Sequence, residues 1–238
     1  VEMHKCLPSD DLESFYDSFE RILDNPDEYD VLVMSWAVKK TQVNKVDEYV
    51  NEIADEGIIP IAAAGNSHGD AGSPATANKC ISIGALTEDG ESVTNFSSWD
   101  KDDDPEPGFE GIPEISAIGK SVVGANAENG SLGHGINGTM TVASGTSFSC
   151  PFVANLVVDI VRRLDDPTVK EVLVELEDTA VDIEKTSRDG LGRVNHDKLL
   201  ESITNGKHDD MNTDEGSSKW YLAWLHFIMN LFKQNSTD

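Results

Sequence analysis

The sequence predicts an α/β fold of three layers, a mainly parallel sheet flanked by helices. Three observations predict it. Apolar runs of strand length, rich in Val, Ile and Ala, recur at 30–35, 58–66 and 80–86. None alternates polar with apolar residues, as an antiparallel strand with one wet face would. A segment of helical periodicity separates the first two runs, which is the order of a βαβ unit.

The elements follow in chain order. Residues 11–25 place Phe15, Phe19, Ile22 and Leu23 at helical spacing. "DVLVMS" (30–35) is a short buried strand. Residues 41–57 set Val43, Val46, Val50 and Ile53 on one helical face, with Thr41 as N-cap and Gly57 as the stop. "IIPIAAAGN" (58–66) and "CISIGAL" (80–86) are the second and third strands. Residues 87–113 read as loop, and their acidic part, 98–111, as a solvated one, because no ligand spacing for calcium is present. Helical pattern returns at 146–164 and 168–183. A glycine turn, a short strand and a last helix fill 189–201. This gives one domain over 1–204, a polar linker over 205–219 and an apolar segment with its tail over 220–238. The run 220–232 is too short to span a bilayer. Its roles are packing on the domain, or contact with a membrane surface or a partner.

Acidic residues outnumber basic ones 44 to 18, a formal charge of −26 over 238 residues. Self-repulsion of that size opposes compaction at low ionic strength, and concentrated salt screens it. The acid is spread along the chain, so the sequence reads as salt-adapted, acidic and halophilic; the other reading is a mesophilic protein with an acidic tail. Nucleic acid and anionic membranes are poor partners, because the charge would repel them. Cys6, Cys80 and Cys150 are too few and too far apart for a disulfide framework or a zinc site, and read as buried hydrophobes. No signal-peptide pattern is present. Val1 opens a segment that reads as domain interior, so the chain is expected to start inside a domain.

Two stretches carry chemistry. In "SGTSFSCPFVAN" (144–155), Thr146 and Ser147 open a helix, with Pro151 read as part of its first turn. A hydroxyl there is either an N-cap or a nucleophile in the positive field of the helix start. Gly145 allows close approach of another backbone. The G-x-S-x-G elbow of α/β hydrolases is excluded, because Ser149 stands where its second glycine would be. In "AAAGN" (62–66), Asn66 ends a parallel strand, at the edge where open α/β sheets bind ligands. Its carboxamide is either a turn residue's or a donor to a developing oxyanion.

Seven segments in order, "VLVMSWAV", "IIPIAAAGNS", "CISIGAL", "VTNFSSWD", "EISAIGKSVV", "SGTSFSCPFVA" and "GLGRVN", resemble the subtilisin-like serine protease (subtilase) family from residue 1 to about 201. In the family's G-T-S-M-A-x-P-H-V-A-G motif, Gly145, Thr146, Ser147, Pro151, Val153 and Ala154 match. Phe148, Ser149, Phe152 and Asn155 depart. The resemblance implies a serine endopeptidase with Ser147 as acyl nucleophile and Asn66 as oxyanion donor. It implies that Ser35, Trp36 and Ala37 form one wall of the primary substrate pocket, and Ala63, Ala64 and Gly65 the other. The family has glycine where Ala37 stands, so a methyl narrows that pocket. Phe148 replaces methionine beside the nucleophile and crowds the site. Phe152 replaces a histidine outside the triad.

The family's aspartate, in D-S/T-G, and its histidine, in H-G-T-H, have no counterpart here. In subtilisin the histidine precedes the serine by about 157 residues, which falls before Val1. "VEMHKCL" matches the strand after that histidine, so His4 comes too late in the fold. His68 and His134 are loop histidines of the solvated kind. The resemblance therefore implies a catalytic domain lacking its first strands, inactive alone, with Asp and His supplied by an upstream segment. It implies a protein or peptide substrate, an extracellular setting, and no required cofactor; calcium is common in the family, with no site identifiable here. The alternative is a non-catalytic peptide-binding module that uses the cleft by strand addition.

Overall fold

The structure is a computed structural model and describes residues 13–38, 44–100, 111–126, 133–136, 138–183 and 188–205. His4, Cys6, Thr41, Val43, the core of the acidic loop (101–110) and residues 206–238, with the expectations attached to them, lie outside the described residues.

The elements are α1 (Glu13–Asp24), β1 (Val31–Met34), α2 (Asn44–Asp55), β2 (Ile59–Ala63), β3 (Ile81–Leu86), β4 (Ile115–Ile118), β5 (Val122–Ala125), β6 (His134–Gly135), β7 (Met140–Ala143), α3 (Thr146–Leu164), α4 (Val169–Thr179) and α5 (His196–Asn205). Strands β1 to β4 form one parallel sheet in chain order, with Val33 opposite Ile61, Ile61 opposite Ile81 and Ile83 opposite Ile115.

Both faces of this sheet are covered, which is why its strands do not alternate. Ile59, Ile61, Ile81, Ile83 and Ile115 pack against Val153, Leu156, Val157 and Ile160 of α3. Their neighbours along the strands, Ile58, Ala62 and Cys80, together with Leu32 and Met34, meet Phe15, Phe19 and Ile22 of α1 and Val46, Val50 and Ile53 of α2. Helices α4 and α5 close over α3 through Val172, Leu173, Leu176 and Leu199. The fold is the three-layer α/β arrangement the sequence predicts.

The helix ends obey local rules. Gly57 takes φ +89°, and the Ile58 and Gly57 amides donate to Ile53 and Ala54 carbonyls, closing α2 as a left-handed stop. Thr168 and Glu171 form a reciprocal capping box at the start of α4. The connection from β2 to β3 is turns rather than a helix, and α2 holds it down. Asp47 accepts from the hydroxyls of Ser73 and Thr76, and the Lys79 amide donates to Asn51 Oδ1 at 3.0 Å. Residues 64–74 are thereby held over the carboxyl end of the sheet.

A second sheet, antiparallel and ordered β5-β7-β6, precedes α3. The sequence reading did not separate it from loop, because its strands are only two to four residues long.

Candidate active site

Strands β1 and β2 lie side by side and parallel, so their carboxyl ends leave the sheet at the same edge. Ser35 follows β1, and Gly65 and Asn66 follow β2. Helix α3 starts between them, carrying Thr146 and Ser147 at its first two positions.

The Ser147 hydroxyl donates to the Ser35 carbonyl at 3.0 Å, and the Ser35 hydroxyl donates back to the Ser147 carbonyl at 3.4 Å. On the other side, the Thr146 amide donates to Asn66 Oδ1 at 2.9 Å, and the Thr146 hydroxyl donates to the same oxygen at 3.2 Å. That hydroxyl accepts from the Gly65 amide at 3.2 Å. Only an oxygen can accept from a backbone N–H, so these bonds fix the carboxamide's orientation. Its Nδ2 is turned from Thr146, and an ideal Cβ on Gly145 would stand 3.3 Å from it. Gly145 thus makes room for this side chain, and its backbone also meets that of Gly119, its amide donating to the Gly119 carbonyl at 2.8 Å. Ser147 is half-buried and Asn66 exposed, so both are open to a ligand.

Ser147 does not cap its helix. The N-cap position is Gly145, with no side-chain bond, and the Ser147 hydroxyl is spent on Ser35. Pro151 requires a correction. It was expected in the first turn, but it lies inside α3, at the sixth helical residue. Its ring nitrogen has no hydrogen for the Ser147 carbonyl four residues back. The Ser35 hydroxyl takes the place of that donor.

Beneath this pair, Cys150 is fully buried, and burial pushes its thiol up to about 12, against a smaller opposing effect of the Ser35 hydroxyl. Cys80 and Cys150 are both free thiols.

The remaining candidate residues have different surroundings. The Trp36 ring lies 4.3 Å from that of Phe15, so its indole packs on α1. Ala63 belongs to the core beneath α3, and Ala64 packs with Ala71 and Ile112. Gly65 is half-buried and Ala37 exposed, and these two carry accessible surface beside the serine. Phe148 is buried, whereas Phe152 is exposed with its ring 6.5 Å from His196. A nitrogen of the His68 ring meets the Asn95 carbonyl, and His134 is exposed on β6 opposite Val142. Among the described residues, the bond partner of the Ser147 hydroxyl is a carbonyl and not a histidine.

Thr146, Ser98 and Gly72 had no assigned role in the sequence reading. Ser98 donates its amide to the Gly65 carbonyl at 2.9 Å and accepts from the Ser67 amide at 3.0 Å, bracing the turn that presents Asn66. Thr146 and Ser98 each lie inside a quoted motif, and that placement was the available signal.

Comparison with known proteins bears on the family and the fold. The Subtilase family profile matches residues 6–215. Among solved structures, the protease domain of PatA is similar at 20% identity and TM-score 0.60, over 82% of this chain and 66% of that one. A lanthipeptide protease is similar at 16% identity and TM-score 0.68, over 84% and 69%. A cold adapted subtilisin-like serine proteinase is similar at 21% identity and TM-score 0.60, over 82% and 63%. The chain spans about two thirds of the length of these structures.

Proposed function

The chain belongs to the subtilase family, and on that premise we propose that it is the nucleophile-bearing part of a serine endopeptidase. Ser147 would attack the peptide carbonyl, and Asn66 Nδ2 would stabilise the oxyanion. One observation carries this reading: Ser147 and Asn66 come from chain positions far apart, yet the Asn66 carboxamide is bonded to Thr146, the residue before the serine. The helix start adds backbone N–H groups and a positive partial field at the same spot.

The general base and its orienting carboxylate would come from a segment outside these residues. A serine needs a base that can take its proton, and an amide carbonyl cannot. The described histidines at 68, 134 and 196 are placed on a loop, on β6 and at the start of α5. The substrate would be a protein or peptide, as the names of the similar proteases suggest, and the setting extracellular.

A fluorophosphonate probe tests this. The 238-residue chain alone should label at Ser147 slower by about 10⁶-fold than a complete enzyme, the scale of triad loss in a family member. Adding in trans a segment that carries the D-S/T-G and H-G-T-H motifs should restore labelling, and S147A should abolish it. Rapid labelling of the chain alone would show a base within it. A chain that stays inert with any such segment, yet binds peptides, would be the peptide-binding module.

A further inference from the structure

We infer that the crevice running from Ser147 between residues 35–38 and 64–66 accepts only glycine or alanine at the position before the scissile bond, and that the Ala37 methyl sets this limit. The inference rests on the peptidase reading above, since it takes a peptide as the occupant.

The two walls are the continuations of β1 and β2 past the sheet edge. An ideal Cβ on Gly65 would lie 3.8 Å from the Ala37 Cβ. Adding one carbon–carbon bond of about 1.5 Å, the Gly65 Cα is at most about 5.3 Å from that methyl. A carbon atom held between two others needs about 7–8 Å, two contacts of 3.5–4.0 Å. No side-chain atom therefore fits between Gly65 and Ala37, and a bound side chain must end at the mouth of the crevice, as a methyl does.

The far end is shut as well. The Gly72 amide donates to the Ala64 carbonyl at 3.4 Å, and the Val38 amide donates to the Ser73 carbonyl at 2.8 Å, so residues 72–73 tie the two walls together. An ideal Cβ on Gly72 would stand 3.3 Å from the Ala37 methyl and 2.4 Å from the Val38 carbonyl oxygen. Behind Gly65, Ala64 is fully buried against Ala71 and Ile112. Gly65 and Gly72 have no side chain to give up, which leaves the exposed Ala37 methyl as the atom that limits the width. Without it the gap is bounded by the two Cα atoms themselves, at most about 6.8 Å apart. That is within a few tenths of an ångström of the roughly 7 Å a flat ring requires.

The test is an NMR titration of the ¹⁵N-labelled full chain with acetyl-tetrapeptide amides, three alanines followed by Gly, Ala or Phe. In the wild-type protein the Gly and Ala peptides should shift the Gly65 amide and the Asn66 side-chain amide, with Phe binding at least tenfold more weakly. Ala37→Gly should improve the Phe peptide at least tenfold and leave the Gly peptide unchanged. Ala37→Val should weaken the Ala peptide, with spectral dispersion reporting that each variant is folded. Equal wild-type affinity for Phe and Ala, or an unchanged ratio in Ala37→Gly, overturns the inference and leaves the peptidase reading standing. If no peptide moves the Asn66 amide in any variant, the crevice is not a peptide site and both fall.

Discussion

Thr146→Val separates the bonds that build the site from the shape that fills it. Thr146 is 1% exposed, and valine has nearly its volume without the hydroxyl. The change removes the bond from the Gly65 amide and the bond to Asn66 Oδ1, both 3.2 Å. The Thr146 backbone amide keeps its own bond to Asn66 at 2.9 Å, so the carboxamide is loosened and not released. A lost hydrogen bond costs about 1 kcal/mol, and a half-buried donor left without a partner raises that to about 1–3 kcal/mol. The expected loss is about 2 kcal/mol in urea unfolding with the m-value unchanged, or a Tm lower by about 4–8 °C for a domain of this size. Thr146→Ser keeps both bonds and should cost under about 1 kcal/mol. The Gly65 amide resonance should move upfield in the valine variant and stay in the serine variant. A valine variant within about 0.5 kcal/mol of wild type, or a serine variant as unstable as valine, would refute the claim that these bonds stitch α3 to β2.

Two further outcomes test the core and the surface. Burial raises the thiol of Cys150 to about 12 and that of Cys80 well above its ordinary value, while unfolded thiols ionise near about 8.5. Their contribution is therefore full below about pH 8.5 and is lost as pH rises toward the folded values, by about 1.4 kcal/mol per pH unit for each thiol. Urea midpoints from pH 8 to 10.5 should fall, and less steeply in a C80A/C150A variant; equal slopes would refute the assignment. With a formal charge of −26, Tm should rise from 0.1 to 2 M KCl, with most of the gain by 1 M, where the screening length is about 3 Å. A flat or falling Tm would remove self-repulsion as a ground for reading the chain as salt-adapted.

The parallel sheet was legible because burial on both faces leaves a mark in composition. "IIPIA" has no polar alternation, and the structure puts Ile58 and Ala62 against one helical layer and Ile59 and Ile61 against the other. The pairing of Ser147 with Asn66 was legible only as a resemblance, since a single chain of letters does not say which strand end meets which helix start. The misreadings have physical causes. Pro151 fits the composition of a first turn, but the helix begins earlier, and a hydroxyl from another strand supplies the donor that proline lacks. Where the Trp36 indole goes was not legible, because whether a side chain just past a strand points to the cleft or to the core depends on the backbone path, and α1 supplies Phe15 to meet it. The β5-β7-β6 sheet left little pattern, because strands this short show no readable period.

Magnitude separates what the geometry at Ser147 would supply to the proposed acyl transfer from what it leaves to a base. The helix start favours negative charge by about 0.3–1 kcal/mol, and up to about 2 kcal/mol when partly buried. A hydroxyl about as acidic as water holds its proton far above neutral pH, a gap many times larger than that field. The field closes only a small part of that gap. The Ser35 carbonyl closes none of it, because it accepts a hydrogen bond without taking the proton. What the described residues supply is position: a serine fixed through two bonds to Ser35, and a carboxamide whose oxygen is held by Thr146 so that its nitrogen is free to donate. A base that displaced the Ser35 carbonyl as acceptor would need only to rotate the Ser147 hydroxyl, with Asn66 already in place.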